Sequence, residues 1–240
     1  MFPSERFYHG LLVDAECIAA EVRGGKPGGV VSPVLNRMEI RPVAFFDIAH
    51  GVEVRMGKSL RNDAEVDFIA KFFALAGEKL RQNNLTVAVI TPYKAQVRRL
   101  TEVLRSHSLA KSRSSRSEAT GDGDGEDEGT DAVEINTVDG FQGREKDVVI
   151  FSCVRAGGGG RDRKLQQYSS AGSGAASHHS IGFVSDERRM NVALTRARKA
   201  LIIVGSRRKL EQDSLWDSLL QSLGNRGLLM RGEDLHINSR

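Results

Sequence analysis

Five short apolar runs, rich in β-branched and aromatic residues, most constrain how this chain folds: 43–47, 86–91, 133–137, 147–153 and 200–204. Near-continuous apolar strands of this kind belong in a sheet that is covered on both faces. Helical patterns lie between several of the runs, and the pattern at 62–80 begins with the capping-box spacing of Asn62 and Glu65. This alternation predicts an α/β fold with a central, mostly parallel sheet between helices.

Two low-complexity stretches interrupt the domain that we predict for residues 1–223. Residues 105–131 pass from a Ser/Arg-rich run into an acidic Gly/Asp tract, and residues 157–180 begin with GGGG. Both are too polar and small-residued to pack, so we predict disordered surface insertions that act either as spacers or as regulatory, phosphorylated loops. Further helices are predicted at 94–104, 185–198 and 210–223, followed by a polar tail at 224–240.

The charge and the cysteine content narrow the class of protein. A net charge of +4 and a pI near 9.2 are compatible with a polyanionic partner. No apolar run approaches membrane-spanning length and the N-terminus has no apolar signal core, so we predict neither membrane insertion nor secretion. Cys17 and Cys153 lie far apart, which predicts reduced thiols, no metal site and an intracellular protein. By exclusion of other compartments, we favour the nucleus over the cytoplasm.

The polar turn between the third and fourth predicted strands is the first candidate site. It carries Asp139, Gly140, Gln142, Gly143, Arg144 and Glu145. Ligands of α/β sheets sit beyond the carboxyl ends of strands, where glycine lets the backbone approach a phosphate or a ribose. By itself the pattern fits an ordinary polar turn equally well.

Four arginines surround a short predicted helix that leads into the last strand: Arg188, Arg189, Arg196 and Arg198. A solvated basic face is the simplest interpretation. Arg196, however, follows the apolar residues 192–194 just before a core strand, where a charge is costly unless an anion neutralises it. A planar guanidinium binds phosphate oxygens bidentately, so Arg196 is a candidate phosphate ligand.

A third stretch follows the strand predicted at 86–91. Thr91, Pro92 and Tyr93 end that strand with a hydroxyl, backbone amides and an aromatic ring. Such groups can hold a phosphodiester or stack on a base. Thr-Pro at a strand end is more often only a turn, so this stretch is informative only in combination with the other two.

Together, TPYKAQ (91–96), TVDGFQGREKDVVIFSCVRA (137–156) and GFVSDERRMNVALTRARKALIIVG (182–205) resemble motifs IV, V and VI of superfamily 1 helicases. The likeness is greatest to the branch that contains senataxin and the nonsense-mediated-decay helicase, and it covers about residues 2–205 apart from the insertions. The resemblance implies the second RecA-like half of an RNA/DNA helicase, with a three-layer P-loop-NTPase-type fold.

The resemblance also implies roles for individual residues. Arg196 matches the arginine finger, which contacts the γ-phosphate of ATP and stabilises transition-state charge. The motif V positions near the nucleotide correspond to Gly143, Arg144 and Glu145. Positions that contact single-stranded RNA or DNA correspond to Thr91, Pro92, Tyr93, Thr137 and Val138. ATP with Mg²⁺ is expected to be bound mainly by an N-terminal RecA-like domain, the partner in cis.

One stretch imitates a phosphate-binding loop, from Gly51 to Gly57, Lys58 and Ser59. A P-loop has four residues between its glycines, whereas five bulky ones lie here, and the glycine-rich run 24–29 has a proline where Ser or Thr is needed. Motifs I, Ia, II and III have no match. We therefore predict negligible ATP turnover by this chain alone.

Three other interpretations stay open from the sequence. The chain could be a stand-alone module that binds nucleic acid or protein, and salt-dependent binding without restored ATPase activity would favour this. It could be an autonomous NTPase, in which case Lys58→Ala would abolish ATP hydrolysis by the isolated chain. It could also be a degraded gene fragment without function.

Overall fold

A computed structural model describes residues 35–36, 38–115, 133–157 and 181–235; the side chains of residues 107–115 lie outside this description. The strands are β1 Val43–Asp47, β2 Val54–Met56, β3 Ser59–Arg61, β4 Val87–Thr91, β5 Glu134–Thr137, β6 Lys146–Ser152, β7 Ala197–Gly205 and β8 Leu229–Arg231. The helices are α1 Asp63–Gln82, α2 Lys94–Ser115, α3 Glu187–Leu194, α4 Arg207–Leu210 and α5 Ser214–Gly224. Short 3₁₀ helices occupy Asp139–Phe141, Gly182–Ser185 and Gly232–Asp234.

Six of the strands form one sheet in the order β5-β4-β6-β7-β1-β8, and every neighbouring pair is parallel. The predicted α/β fold with a parallel sheet is therefore confirmed. Because all six strands run in one direction, their last residues share one end of the sheet, and their first residues share the other. We call these the carboxyl end and the amino end of the sheet.

The sheet separates two apolar cores, which makes the domain three-layered. Val89 and Ile150 face one core, which they share with residues of α1 and α2. Their strand neighbours Ile90 and Phe151 face the other core, and the Phe151 ring stacks on Trp216 of α5 at a centroid distance of 6.1 Å. Successive residues of one strand thus alternate between the cores, as a doubly covered sheet requires.

Helix α1 begins with Asn62 as N-cap, as its sequence predicts. The Asn62 side chain accepts a hydrogen bond from the backbone N–H of Glu65 at 3.4 Å. In a capping box the Glu65 carboxylate would accept from the backbone N–H of Asn62, but this N–H donates to Oε1 of Gln96 at 2.8 Å. The start of α1 is therefore tied to the first turn of α2.

The stretch that imitates a P-loop folds as a β-hairpin. Strands β2 and β3 pair antiparallel with Met56 opposite Ser59, so that Gly57 and Lys58 form a two-residue turn. Gly57 has a φ of 62°, in the left-handed region that such turns require. Ser59 begins a strand rather than the first turn of a helix, so the interpretation as a phosphate-binding loop is wrong.

The helix predicted at 185–198 is shorter than its sequence pattern indicates. Helix α3 ends at Leu194, and β7 begins at Ala197 opposite Lys146 of β6. Here, pairing with the neighbouring strand determines the backbone conformation. It outweighs the local helical propensity of an Arg- and Ala-rich run. Arg196 consequently lies in the two-residue connection between the helix and the strand.

Other boundaries also differ from the predictions. Helix α2 continues to Ser115, so the first part of the predicted insertion at 105–131 is helical. The helix predicted at 210–223 is divided, because α4 ends at Leu210 and α5 begins at Ser214 after the N-cap Asp213. The predicted polar tail adds β8 beside β1 and buries Leu235, so the packed domain continues past residue 223.

Some predictions fall outside the described residues. These concern Cys17, the glycine-rich run 24–29, most of the two insertions and the last residues of the tail. Within the described ranges, no helix is long and apolar enough to cross a membrane. Cys153, just after β6, is buried as a free thiol.

Candidate functional site

Arg196 stands at the amino end of the sheet, between β6 and β7. Its backbone carbonyl accepts from the N–H of Lys146 at 3.2 Å, which places it beside the first residue of β6. Its half-buried guanidinium donates through Nε to the carbonyl of Val192 at 3.1 Å and through Nη1 to the carbonyl of Arg144 at 3.5 Å. Two backbone carbonyls therefore orient the guanidinium and leave its charge unneutralised.

The pairing state and the burial of Arg196 together separate it from the other arginines of the motif-like stretches. Arg188 is exposed on α3. The other four pair with a carboxylate, namely Arg144 with Glu134, Arg155 with Glu53, Arg189 with Asp139 and Arg198 with Glu145. In the part of the chain that the structure describes, no carboxylate pairs with Arg196. A half-buried cation with only carbonyl partners still has the charge and the N–H groups with which it could bind an anion.

The residues predicted to lie beside the nucleotide, 143–145, adjoin Arg196. Arg144 and Glu145 are exposed immediately before β6, and Glu145 pairs with Arg198 at 3.4 Å. Gly143 has a φ of 78°, and a side chain there would meet open space. These residues lie at the amino end of the sheet, so our expectation that they lie beyond strand carboxyl ends is wrong. The chain has already crossed from β5 to the start of β6 when it reaches them.

The predicted nucleic-acid residues lie at the opposite, carboxyl end. Thr91 and Thr137 are paired as the last residues of β4 and β5. The Thr137 hydroxyl accepts from the N–H of Gly140 at 3.1 Å and so shapes the turn after β5. The Thr91 hydroxyl is fully buried and, within the described ranges, has no hydrogen-bond partner.

Val138 and Tyr93 have structural contacts that the sequence did not reveal. The Val138 side chain is buried, and its backbone N–H donates to the carbonyl of Thr91 at 3.0 Å, so Val138 ties the turn after β5 to β4. The Tyr93 ring is 4% exposed and meets Phe183 edge-on at 6.1 Å, whereas Pro92 is half-buried. In this conformation, the ring that faces solvent is that of Phe183, which the sequence interpretation did not single out.

A buried polar cluster lies behind the carboxyl end and was also missed. The Glu65 carboxylate accepts from Ser152 Oγ at 2.6 Å, from the N–H of Val154 at 2.9 Å and from Asn62 Nδ2 at 3.2 Å. Gln96 completes the cluster by donating to Ser152 Oγ at 3.0 Å. Glu65 looked like a capping residue, and only the fold brings it within reach of β6.

Two opposing effects act on the Glu65 carboxyl. Complete burial penalises its charged form and raises its pKa from 4.5 to about 8, while the hydrogen bonds from Ser152 and Val154 act in the lowering direction. The same bonds hold Val154 at a φ of 67°, which is a strained conformation for a β-branched residue. The cluster therefore fixes the chain where it leaves β6 and turns towards Arg155.

Two short segments connect the two ends of the sheet. Residues 138–145 run from β5 to the start of β6, and residues 182–196 lead to the start of β7. Near the carboxyl end, Arg189 Nε and Nη2 donate to the two Asp139 oxygens at 2.8 and 3.1 Å. At the amino end, Arg196 reaches the carbonyl of Arg144. Contacts at both ends thus link the segments 138–145 and 182–196.

Comparison with known proteins identifies relatives for nearly the whole chain. A family model described as an AAA domain, AAA_12, matches residues 1–208. Probable helicase MAGATAMA 3 of Arabidopsis thaliana is 33% identical over 239 residues, which cover 96% of this chain and 23% of that protein. Helicase sen1 of Schizosaccharomyces pombe is 32% identical over 240 residues, which cover 99% of this chain and 11% of that protein.

A third relative is named for nonsense transcripts, like the second of the two helicases that define the predicted branch. The regulator of nonsense transcripts 1 homolog of Drosophila melanogaster is 34% identical over 236 residues, covering 96% of this chain and 16% of that protein. The chain thus spans less than a quarter of the length of each of these three relatives. Its parallel α/β sheet and the extent of the family match lead to one assignment: the chain belongs to the AAA_12 family of AAA domains, as a RecA-like domain related to the superfamily 1 helicases of the Sen1 and nonsense-transcript-regulator type.

Proposed function

We propose that this chain is the C-terminal motor half of an ATP-dependent superfamily 1 RNA/DNA helicase, with Arg196 as its arginine finger. The observation that supports this proposal most is the half-buried Arg196 guanidinium, which is oriented by two carbonyls and has no carboxylate partner within the described ranges. The neighbouring Arg198 is neutralised by Glu145 and provides the contrast.

The proposed chemistry is stabilisation of charge during phosphoryl transfer. As the bond between the β- and γ-phosphates breaks, negative charge develops on oxygens that a fixed guanidinium can meet without reorganising. Arg196 would approach the γ-phosphate from the amino end of the sheet, with Gly143, Arg144 and Glu145 beside the nucleotide. ATP and Mg²⁺ would be bound mainly by an N-terminal RecA-like half, which would supply the phosphate loop and the magnesium carboxylate.

The carboxyl end would carry the nucleic acid. The turns after β4 and β5 bring Pro92 and Thr137 to one end of the sheet, where backbone groups can contact phosphates without reading sequence. The segments 138–145 and 182–196 would then connect nucleic-acid binding with the nucleotide site. A motor needs such a link, and the Arg189–Asp139 contact joins the two segments.

The test uses the longer protein in which an N-terminal RecA-like half precedes this chain. Arg196→Ala is expected to lower kcat for ATP hydrolysis about 10³-fold, while single-stranded nucleic acid still binds. Arg198→Ala is the matched control, because it removes an exposed arginine two residues away, and we expect less than about a tenfold loss. Retained hydrolysis in the Arg196→Ala variant would refute the arginine-finger assignment.

The isolated chain distinguishes this proposal from the alternative of a stand-alone binding module. We expect negligible ATP turnover by the chain alone, since Gly57 and Lys58 form a hairpin turn instead of a phosphate loop. Addition of the N-terminal half should restore hydrolysis. If the chain binds nucleic acid in a salt-dependent manner and addition of an N-terminal half restores no ATPase activity, the binding module is favoured instead.

A further inference from the structure

Phe183 has the most exposed large apolar side chain among the described residues, with 53% of its surface accessible. It lies in the 3₁₀ helix Gly182–Ser185, which precedes α3. Single exposed apolar residues are common on protein surfaces and need no explanation by themselves. Phe183 differs because other residues fix the position of its ring.

Several contacts hold the Phe183 ring in place. Tyr93 meets it at an interplanar angle of 77° and a centroid distance of 6.1 Å. The Arg189 guanidinium carbon lies 5.0 Å from the ring centroid, and that guanidinium donates two hydrogen bonds to the Asp139 carboxylate. Trp216 Nε1 donates to the carbonyl of Val184 at 2.8 Å and anchors the next residue of the chain. The ring is therefore supported from below and still faces solvent.

The position of the ring relative to the sheet indicates what it contacts. Tyr93 follows the last residue of β4 by two positions, and Asp139 follows the last residue of β5 by two positions. Phe183 consequently lies over the carboxyl ends of β4 and β5, close to the turns proposed to contact a nucleic-acid backbone. An exposed aromatic face held in a fixed position beside strand ends suits stacking of an unpaired base.

We propose that Phe183 is a base-stacking residue for single-stranded nucleic acid, with Tyr93 and Arg189 as its positioning residues. The inference rests on the proposed function, because it assumes that the strand passes over the carboxyl end of the sheet. Stacking on a phenyl ring requires only the π-face that every base possesses. The contact would add grip at each position of a translocating strand without selecting a sequence.

The first experiment measures binding of a fluorescently labelled oligouridylate to the full 240-residue chain. Phe183→Ala is expected to weaken binding about tenfold, and Phe183→Tyr should restore it because the aromatic face returns. Leu75→Ala is the matched control, since Leu75 is 40% exposed on α1, and its affinity should equal that of the wild type. The salt dependence should stay the same in all variants, because no phosphate contact is removed.

A second ligand isolates the contribution of the base. An abasic oligonucleotide of equal length keeps the phosphates and lacks the stacking partner, so wild type and Phe183→Ala should bind it with equal affinity. In the Phe183→Trp variant, oligouridylate should quench the emission of the introduced indole. The native Trp216 is fully buried and should not respond in the wild-type chain.

The outcomes separate this inference from the proposed function. Salt-dependent binding that Phe183→Ala leaves unchanged would overturn the stacking role and leave the nucleic-acid surface in place. If the wild-type chain shows no salt-dependent binding, both the nucleic-acid surface and the stacking role are refuted. The arginine-finger proposal at the amino end is then still tested separately. Loss of affinity for the abasic oligonucleotide in Phe183→Ala would also contradict stacking.

Discussion

The carboxyl and amino ends of the sheet are stabilised in different ways. At the carboxyl end, the polar groups of Glu65, Ser152 and Gln96 are buried and satisfied by one another. At the amino end, charges are exposed or half-buried, and Arg196 relies on backbone carbonyls alone. The difference shows that hydrogen bonds within the protein fix the carboxyl-end cluster, whereas Arg196 at the amino end is oriented by two carbonyls and keeps its positive charge unpaired within the described ranges.

The largest expected difference concerns the removal of one carboxylate from each end. Glu65→Ala leaves three buried donors without their acceptor and should lower the free energy of unfolding by about 3 kcal/mol or more. Glu145→Ala removes an exposed carboxylate at the amino end and should change it by about 0.5 kcal/mol or less. Urea unfolding of both variants provides the measurement, and equal losses would show that the two ends do not differ.

The next effect is the pH dependence that Glu65 confers on stability. Its pKa is about 8 in the folded chain and 4.5 as the ordinary value, so the folded state binds the extra proton between these limits. The stabilisation is complete below about pH 4.5 and is lost as the pH rises through about 8, by on the order of 1 kcal/mol per pH unit. Urea unfolding across this range should show the decline.

Glu65→Gln is the control for the pH dependence. The amide does not titrate, so the decline with pH that Glu65 contributes should disappear whatever the absolute stability of the variant. An identical decline in wild type and Glu65→Gln would mean that other groups, rather than the carboxyl-end cluster, set the pH dependence.

A smaller effect distinguishes two glycines with similar backbones. Gly143 and Gly57 have φ values of 78° and 62°, and an added methyl group would meet nothing within 4 Å at either position. Alanine at each should lower the free energy of unfolding by about 1 kcal/mol through backbone strain. In the longer protein, only Gly143→Ala should also slow ATP hydrolysis, by about tenfold or more. Equal hydrolysis in both variants would separate Gly143 from the nucleotide site.

The smallest expected effect is the coupling within an exposed ion pair. A double-mutant cycle on Arg198 and Glu145, whose side chains are 60% and 53% exposed, should give a coupling of about 0.5 kcal/mol or less. The Arg155–Glu53 pair near the carboxyl end is 13% and 19% exposed, and its coupling should be at least about 1 kcal/mol. A stronger coupling in the exposed pair would reverse the contrast between the two ends.

Local sequence patterns predicted the strands well because burial on both faces leaves a continuous apolar run. The observed β1 coincides with its predicted range, and the other strands of the sheet that were predicted differ only at their boundaries. The helix between 185 and 198 was overextended because its residues favour a helix locally, while β6 pairs with Ala197 and the residues that follow. Strand β8 was missed because three residues give no measurable period.

The candidate site was predictable as a set of residues but not as an arrangement. The chain order of TPYKAQ, QGREK and LTRAR indicated the candidate residues, and Arg196 remains the arginine that those patterns single out. The order did not reveal that Gly143 to Glu145 lie at the opposite end of the sheet from Thr91. That separation follows from the parallel pairing of β4, β5 and β6, which forces the chain to return across the domain between strands.

The sequence by itself determined the α/β class, the N-cap of α1 and the set of candidate site residues, because these depend on neighbours within a few positions. Only the tertiary structure decided that Arg196 has no carboxylate partner within the described ranges, that Tyr93 is buried under Phe183, and that Glu65 belongs to a buried cluster. The physical reason is distance along the chain. Burial and charge pairing depend on contacts such as Glu65 with Ser152, which are 87 positions apart and meet only when the sheet assembles.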